Sequence, residues 1–431
     1  MLHVKLKFLS FGLIVACADS DLSEPKLSDF DDTAVPDTED TQQPEGTQEP
    51  EDTQEPEDTQ ELEDTQEPED TQEPEDTQEP EDTQEPEDTS DFNTEERTVS
   101  SDAWGYIDVP VQIKSGDSTA LVTVLGNNRV ALLWLEDPSG NQVVTGSDWT
   151  SSGYTLSDGF YTNSAYESVF NWPIRDVDPA IYPGLWNFVF YSWDSSGNPA
   201  TNEMFEATIQ RKKDSDFTAG TVKVVLYYAQ GVQNNSDVVS AITEAITVWE
   251  DIWSPMGLTL QYRFVNSTIP STMYSPYYGA SEYENLASQT DNDEVIVVIG
   301  EEISGAEWLL GMAGSVPGTP AVASRAVSAI SWLNAAGIDG DFDSIDIRIL
   351  GETFAHEVGH YLGLYHPIEQ DWSTQDSLDD TPICSGQSTC ESVLGSNLMF
   401  PYAVCDSTDC IPQNEITTDQ NAVMHRYTGT R

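Results

Sequence analysis

The chain has 431 residues and a formal net charge of −61, with 77 acidic against 16 basic side chains. A surface this acidic repels the phosphates of nucleic acids and of anionic membranes, so neither is an expected partner. The sequence has no run of 18 apolar residues, and a transmembrane helix is therefore not expected.

The N-terminus, MLHVKLKFLSFGLIVACADS, has the pattern of a bacterial export signal. Two lysines precede a short apolar run at residues 8–15, and Ala16, Cys17 and Ala18 follow. The residues ending at Cys17 are typical of a lipobox, which predicts that residues 1–17 are an export signal of the lipoprotein type and that Cys17 is lipidated. Because Ala18 follows, the expected location is the outer cell surface of a bacterium, with the lipid as the membrane contact. Ordinary cleavage at Ala16-Cys17-Ala18 would instead give a secreted protein.

Residues 18–97 are predicted to be a disordered acidic tether. The hexapeptide EPEDTQ repeats from about residue 38 to residue 89, and residues 18–96 hold 34 acids and one lysine. Such a segment has no apolar surface to bury and repels itself, so it stays extended. The proline of each repeat stiffens it toward polyproline II.

Residues 98–216 are predicted to form an all-β sandwich, an accessory domain. The apolar and aromatic runs ALVTVLG, RVALLWLE, GLWNFVFYSW and MFEATIQ are separated by turn clusters such as DPSGN and DSSGNP. Short strands at this spacing are typical of sandwiches. We expect the aromatic side chains to serve core packing.

Residues 218–431 are predicted to form an α/β (α+β) domain with a mixed sheet. TVKVVLYYA, LTLQYRFV, EVIVVIG and AVSAISWL are expected strands. SDVVSAITEAITVWEDIW is an expected helix with Ser236 as N-cap. Its predicted buried face consists of Val239, Ile242, Ile246, Trp249 and Trp253.

Four cysteines lie in one short region of this exported chain, which predicts two disulfides. Cys384 with Cys390 and Cys405 with Cys410 are the favoured pairs because each closes a short local loop. An all-cysteine zinc site is the alternative. Its spacings are too loose for zinc knuckles, and an oxidising compartment disfavours it.

Three of the five histidines fall within HEVGHYLGLYH, residues 356–366. Phe354, Val358 and Leu362 recur at helical spacing, so this segment should be a helix with one apolar face. His356 and His360 are one turn apart, which lets both imidazoles reach one metal ion.

Glu357 lies beside these ligands at a rotated angle, better placed to hold a metal-bound water than to be a ligand. Gly363 can adopt the left-handed conformation that ends a helix. The turn then delivers His366, and Pro367 prevents the helix from resuming. Three neutral imidazoles with an open fourth position are the ligands of a catalytic Zn²⁺ rather than a structural one.

The pattern His-Glu-x-x-His-x-x-Gly-x-x-His resembles the signature of the metzincin clan of zinc endopeptidases. SNLMFPYA supplies Met399 for that clan's methionine turn. DSLDDTPIC and LLGMAGSVPGTP resemble segments of the pappalysin-like (cytophagalysin) family. The resemblance covers about residues 218–431 and implies a metzincin-like catalytic domain with a zinc-binding helix. It also implies that a strand edge near AVSAISWL aligns an extended polypeptide substrate.

The chain departs from this pattern after the methionine. Pro401 stands where several metzincins have a tyrosine that reaches the metal, and Tyr402 comes one residue later. A transition-state role for Tyr402 is therefore doubtful. The family resemblance also suggests a crossed disulfide arrangement, Cys384 with Cys405 and Cys390 with Cys410, as the second alternative.

Two clusters of aspartates raise the question of structural Ca²⁺. For the first cluster a solvated turn is favoured, and for the second a calcium site is left open, with Asp376, Asp379 and Asp380 as its ligands. Neither cluster completes an EF-hand. The first cluster consists of Asp339, Asp341, Asp343 and Asp346. The second consists of Asp371, Asp376, Asp379 and Asp380.

The predicted function is an exported zinc endopeptidase. Zn²⁺ held by His356, His360 and His366 would lower the pKa of its water from about 15.7 toward about 7. Glu357 would take the proton as general base and pass it to the departing amine. The expected partner is a polypeptide substrate.

Two other readings stay open. The chain could be a surface-displayed binding protein or adhesin whose sandwich is the working part and whose zinc site is vestigial. A general base such as Glu357 has no use in that protein. Alternatively, residues 98–216 could be a prodomain that places an acidic side chain on the zinc. Because no cysteine lies between Ala18 and Ile383, latency through a cysteine ligand is excluded.

Overall fold

The computed structural model describes residues 92–146, 154–155, 157, 160, 166–276, 283–287, 289–319, 327–336, 341–405 and 409–431. The predicted export signal, Cys17, the EPEDTQ repeats and Asp339 lie outside the described residues. Residues 90–431 belong to one compact unit. No helix in the described part of the chain is long and apolar enough to span a membrane.

The first half of this unit contains two antiparallel four-stranded sheets. One sheet has the order β1 (Phe92–Ser100), β9 (Met204–Lys212), β3 (Thr119–Gly126), β7 (Glu167–Trp172). The other has the order β2 (Tyr106–Ile113), β8 (Gly184–Trp193), β4 (Arg129–Glu136), β5 (Gln142–Thr145). Their inward side chains, among them Val109, Val122, Phe170 and Phe190, are fully buried. The four strands predicted here correspond to β3, β4, β8 and β9.

Strand β1 begins at Phe92, so residues 92–97 are part of a sheet and the tether prediction is wrong for them. Among the described strands it pairs with β9 alone, from Phe92 opposite Lys212 to Ser100 opposite Met204. At a sheet edge its polar residues Thr94, Glu95 and Glu96 need not be buried, and the sequence therefore shows no strong apolar alternation.

The second half contains a mixed five-stranded sheet, as predicted. Its order is β11 (Leu258–Asn266), β10 (Gly220–Tyr228), β13 (Glu294–Gly300), β16 (Val327–Ser331), β15 (Gly311–Ala313). The first four strands are parallel, and β15 is antiparallel to β16. The AVSAISWL strand, β16, is thus paired on both sides. Among the described residues, the edge strands of this sheet are β11 and β15. The sequence did not reveal β15 because three residues are too few to show a period.

Two long helices lie against each other beside this sheet, α1 (Ser236–Trp253) and α4 (Ser344–Tyr361). Trp249 of α1 stacks on Phe354 of α4 with ring centroids 5.8 Å apart. The N-cap of α1 is Asn235 rather than Ser236, because the Asn235 side chain accepts hydrogen bonds from the main-chain N–H groups of residues 237 and 238. Val239 is half-buried, and Val238 takes the buried place on that face.

The remaining elements are short. The helices are α2 (Glu284–Ala287), α3 (Trp332–Ala335), α5 (Gln387–Leu394) and α6 (Thr418–Arg426), with 3₁₀ turns at Val232–Asn234 and Ser254–Met256. Strand β12 (Thr272–Met273) pairs with β14 (Glu302–Ile303), and β6 (Tyr154–Thr155) pairs with β17 (Gln375–Asp376).

Buried polar contacts join the sandwich to the second half. Asn171 accepts hydrogen bonds from the N–H and the hydroxyl of Thr428, at 2.9 and 2.6 Å. The ammonium of Lys212, fully buried at the end of β9, donates to the carbonyls of His425 and Thr430 at 2.9 and 2.5 Å. The C-terminal residues therefore pack against both halves.

Candidate metal centre

Helix α4 carries the first two histidines, and its sequence favours a helix at this place. The Asp343 side chain caps the helix by accepting hydrogen bonds from the N–H groups of Ile345 and Asp346. In turn, the Asp346 side chain accepts a hydrogen bond from the N–H of Asp343, which completes a capping box. Phe354, Val358 and the following Leu362 are buried, as predicted from their spacing. Helix capping thus accounts for Asp343 and Asp346 of the first aspartate cluster.

A glycine ends the helix and brings in the third histidine. Gly363 has φ +108, a conformation that side chains disfavour. Its N–H donates to the carbonyl of His360, and the N–H of Leu364 donates to that of Gly359. The chain then reverses and places His366 beside the first two histidines.

The three imidazoles converge through their Nε2 atoms. The distances are 3.0 Å between His356 and His360, 3.2 Å between His360 and His366, and 3.3 Å between His356 and His366. In the described residues, these histidines are the one group of three or more His, Cys, Asp or Glu whose ligand atoms all lie within 4.8 Å of one another.

Each Nδ1 atom faces an acceptor. That of His356 lies 2.7 Å from the carbonyl of Leu398, and that of His360 lies 2.6 Å from the carbonyl of Leu364. That of His366 lies 2.9 Å from Oε2 of Glu369. Because a carbonyl cannot donate, the proton of the first two rings sits on Nδ1 and the lone pair on Nε2.

This donor set fits a tetrahedral zinc ion. Ligand distances of about 2.0–2.1 Å at tetrahedral angles separate nitrogen atoms by about 3.3 Å, close to the three observed distances. Burial, followed by the charge of His366, lowers the pKa of His356 to about 3. Burial and the other two rings place the pKa of His360 well below its usual value. Both rings are therefore neutral, which is the form that binds a metal.

Glu357 lies between α4 and the edge strand β15. Its side chain is buried, and Oε2 has no hydrogen-bond partner. A Cβ at Gly311 would lie 2.5 Å from Cγ of Glu357, so this position of β15 needs a glycine. Burial raises the pKa of Glu357 to about 8, partly offset by the N–H of Ala313. A positive charge nearby would favour the carboxylate.

Met399 lies beneath the helix, against the glycine between the first two histidines. Its Sδ is 2.8 Å from where a Cβ of Gly359 would lie, and the side chain is fully buried. Asn397 holds this turn by accepting from the N–H of Met399 at 2.9 Å and donating to Gln420 at 2.8 Å. The same turn supplies the Leu398 carbonyl that orients His356.

Tyr402 is directed away from the histidines, toward α5. Its hydroxyl donates to Glu391 at 2.7 Å, and burial, followed by that bond, raises its pKa to about 12. The disulfides are Cys384–Cys390 and Cys405–Cys410, the local pairs favoured from the spacing and not the crossed arrangement. Cys384 and Cys390 pack with Phe400 in a small core on which Tyr402 rests.

The structure does not bring the three candidate calcium ligands into one described ligand group. Asp376 is buried, whereas Asp379 and Asp380 are exposed. Asp380 accepts from the N–H of Asp419 at the start of α6, at 2.9 Å. Asp371 accepts from its own turn, from the N–H groups of Ser373 and Thr374.

Three residues of the site were missed by the sequence reasoning. Glu369 could have been recognised from the sequence, because an acid three positions after the last histidine is close enough to contact its ring. Gly311 and Asn397 are distant in sequence from the histidines. Among the described residues, no acidic side chain of residues 98–216 belongs to the histidine group. The acidic ligand that the prodomain alternative requires is therefore not among them.

Comparison with known proteins gives a partial likeness. No family model matches the chain. It is 38% identical over 88 residues to an "Extracellular metalloprotease" of Colletotrichum graminicola, a match that covers 18% of this chain and 31% of that protein. The chain thus matches about a third of that relative's length. Metalloproteinase-II from Bacteroides fragilis is a structural neighbour with a TM-score of 0.30 and 13% identity, over 50% of this chain and 61% of that one.

Proposed function

We propose that the chain is an exported, zinc-dependent endopeptidase of the metzincin type. The observation that carries the proposal is the convergence of three imidazole Nε2 atoms beside a buried glutamate. A purely structural zinc site is usually closed by four protein ligands and has no need of such an acid. The 88-residue likeness to an extracellular metalloprotease supports the same activity and export. The binding-protein alternative has no such support.

His356, His360 and His366 would hold the zinc ion. When bound, zinc supplies a Lewis acid that polarises a peptide carbonyl and promotes loss of a proton from water near neutral pH. Glu357 accepts that proton and returns it to the departing amine. The acceptors on the three Nδ1 atoms hold the rings in a fixed orientation.

Strand β15 would bind the substrate. This edge strand is adjacent to Glu357, because the Ala313 N–H interacts with that carboxyl group. An extended peptide can add to this edge as a further strand, which brings its backbone toward the histidines. The proposed location is the bacterial outer surface, through a lipid on Cys17, or otherwise the medium.

Two variants of the full chain test the activity. Glu357→Ala should keep bound zinc and lose turnover by several orders of magnitude, whereas His356→Ala should lose both. Zinc content by mass spectrometry and cleavage of a peptide library are the measurements. A Glu357→Ala protein that cleaves as fast as the wild type would end the mechanism, and a wild type that binds no zinc would end the proposal.

A further inference from the structure

A cavity of about 530 Å³ lies between the sandwich and the loop that follows the third histidine. Val143, Val144 and Trp172 line it from the sandwich, and Asp376, Ser377 and Leu378 line it from the loop. None of the three histidines, nor Glu357, is among its described lining residues. The cavity is therefore separate from the metal centre.

Two buried polar groups of this lining have no hydrogen-bond partner among the described residues. Asp376 is 3% exposed, and its Oδ1 accepts from the Thr381 hydroxyl at 2.6 Å and the Leu378 N–H at 3.2 Å, but its Oδ2 has no partner. Trp172 is 1% exposed, and its indole N–H is likewise unpaired. A buried polar group without a hydrogen bond destabilises the fold, so two in the lining of one cavity point to a missing partner.

The charges around the cavity favour a cation. Asp178 is neutralised by Arg175, whose Nη2 lies 2.9 Å from it. Asp376 and Asp379 line the same cavity, and neither forms an ion pair with a basic side chain of the described residues. Burial, together with the charges of Asp380 and Asp419, raises the pKa of Asp376 to about 7. A positive group placed on Oδ2 would relieve this unfavourable burial of negative charge.

The lining favours an organic cation over a metal ion. Ca²⁺ takes six to eight oxygen ligands, whereas Asp376 is not part of any described group of three close acidic ligands. Val143, Val144 and Leu378 supply apolar wall beside the carboxylate. Such a wall suits the methylene groups of an alkyl chain.

We propose that this cavity is a binding site for an alkylammonium or alkylguanidinium group, with its charged end beside the carboxyl group of Asp376 and its alkyl chain against Val144 and Leu378. The site does not depend on peptidase activity. The group could belong to a small free amine or to a basic side chain of a polypeptide.

The experiment measures binding by the full-length Glu357→Ala protein in calorimetry, so that no probe is cleaved. The probes are n-butylguanidine, its neutral analogue n-butylurea, N-acetylarginine methylamide and CaCl₂. We expect n-butylguanidine to bind at least tenfold more tightly than n-butylurea. If N-acetylarginine methylamide binds more tightly than n-butylguanidine, the result would support the same site and indicate that its cationic group comes from a polypeptide side chain.

Added to that background, Asp376→Asn should weaken n-butylguanidine binding at least tenfold, and Asp251→Asn, an exposed acid of α1, should leave it unchanged. Val143→Phe, which fills the cavity but keeps the carboxylate, should also abolish binding, and thermal melts establish that each variant is folded. Equal binding of the charged and neutral probes would overturn the proposal. So would Ca²⁺ binding that requires Asp376 while n-butylguanidine does not bind.

Discussion

Oε2 of Glu369 lies 2.9 Å from Nδ1 of His366, so this candidate ligand faces a carboxylate. The other two face the carbonyls of Leu398 and Leu364. A carboxylate partner fixes the ring orientation and raises the basicity of the coordinating nitrogen. Glu369 is thus a positioning residue for the proposed metal.

Removal of this carboxylate should weaken zinc binding. We expect Glu369→Ala to raise the zinc dissociation constant about 10- to 100-fold, and Glu369→Gln to raise it less because the amide oxygen still accepts the hydrogen bond. Competition with a chromophoric chelator measures both. Glu203→Gln, at an exposed site of the sandwich, is the control. Equal affinities for Glu369→Ala and the wild type would show that the carboxylate does not position the ligand.

A methyl group on β15 should disturb the glutamate but not the zinc ligands. Gly311→Ala places a Cβ 2.6 Å from Oε1 of Glu357, so the carboxyl group or the strand must shift. We expect turnover to fall at least tenfold with unchanged zinc content, since a misplaced catalytic group loses much of its effect. Gly146→Ala, whose nearest contact would be 3.5 Å, should be neutral. Full activity of Gly311→Ala would show that the position of the Glu357 carboxyl group does not limit turnover.

Lys212 should make stability depend on pH above neutrality. Burial lowers its pKa from 10.5 to about 8, so between these values the unfolded chain holds a proton that the folded chain has lost. The contribution of this residue to the free energy of unfolding therefore rises with pH from about 8 to 10.5. Relative to Lys212→Met, the wild type should gain about 2–3 kcal/mol between pH 7.5 and 10. Urea denaturation at pH 7.5 and at pH 10 measures the free energy of unfolding of both proteins. If the difference between them were the same at the two pH values, the pKa of Lys212 would not be lowered by burial.

Cys17 should decide the location. Wild-type protein should fractionate with membranes, because two acyl chains at about 0.8 kcal/mol per buried methylene hold a protein firmly to a bilayer. Cys17→Ser should be soluble or remain uncleaved. Mass spectrometry of the mature N-terminus identifies the lipid. A soluble wild-type protein that begins at Asp19 would establish simple secretion.

The sequence by itself determined the features that depend on neighbouring residues. The i, i+4 spacing of His356 and His360, the helix-ending Gly363 and the local cysteine pairs are set by backbone periodicity and short loops. They could be predicted because the chain itself holds these residues close together. The parallel strands were also recognisable, since EVIVVIG is buried on both faces and reads as a continuous apolar run.

Only the tertiary structure decided the features that join distant residues. Three such features join residues that are 42 or more positions apart in the sequence. They are the hydrogen bond of His356 to the Leu398 carbonyl, the contact of Gly311 with Glu357, and the cavity lined by Trp172 and Asp376. No periodicity relates such residues, because their proximity follows from how the sheets and helices pack. The polar edge strand β1 is a further case: pairing with β9 at the sheet edge, rather than an apolar pattern of its own, makes residues 92–97 a strand.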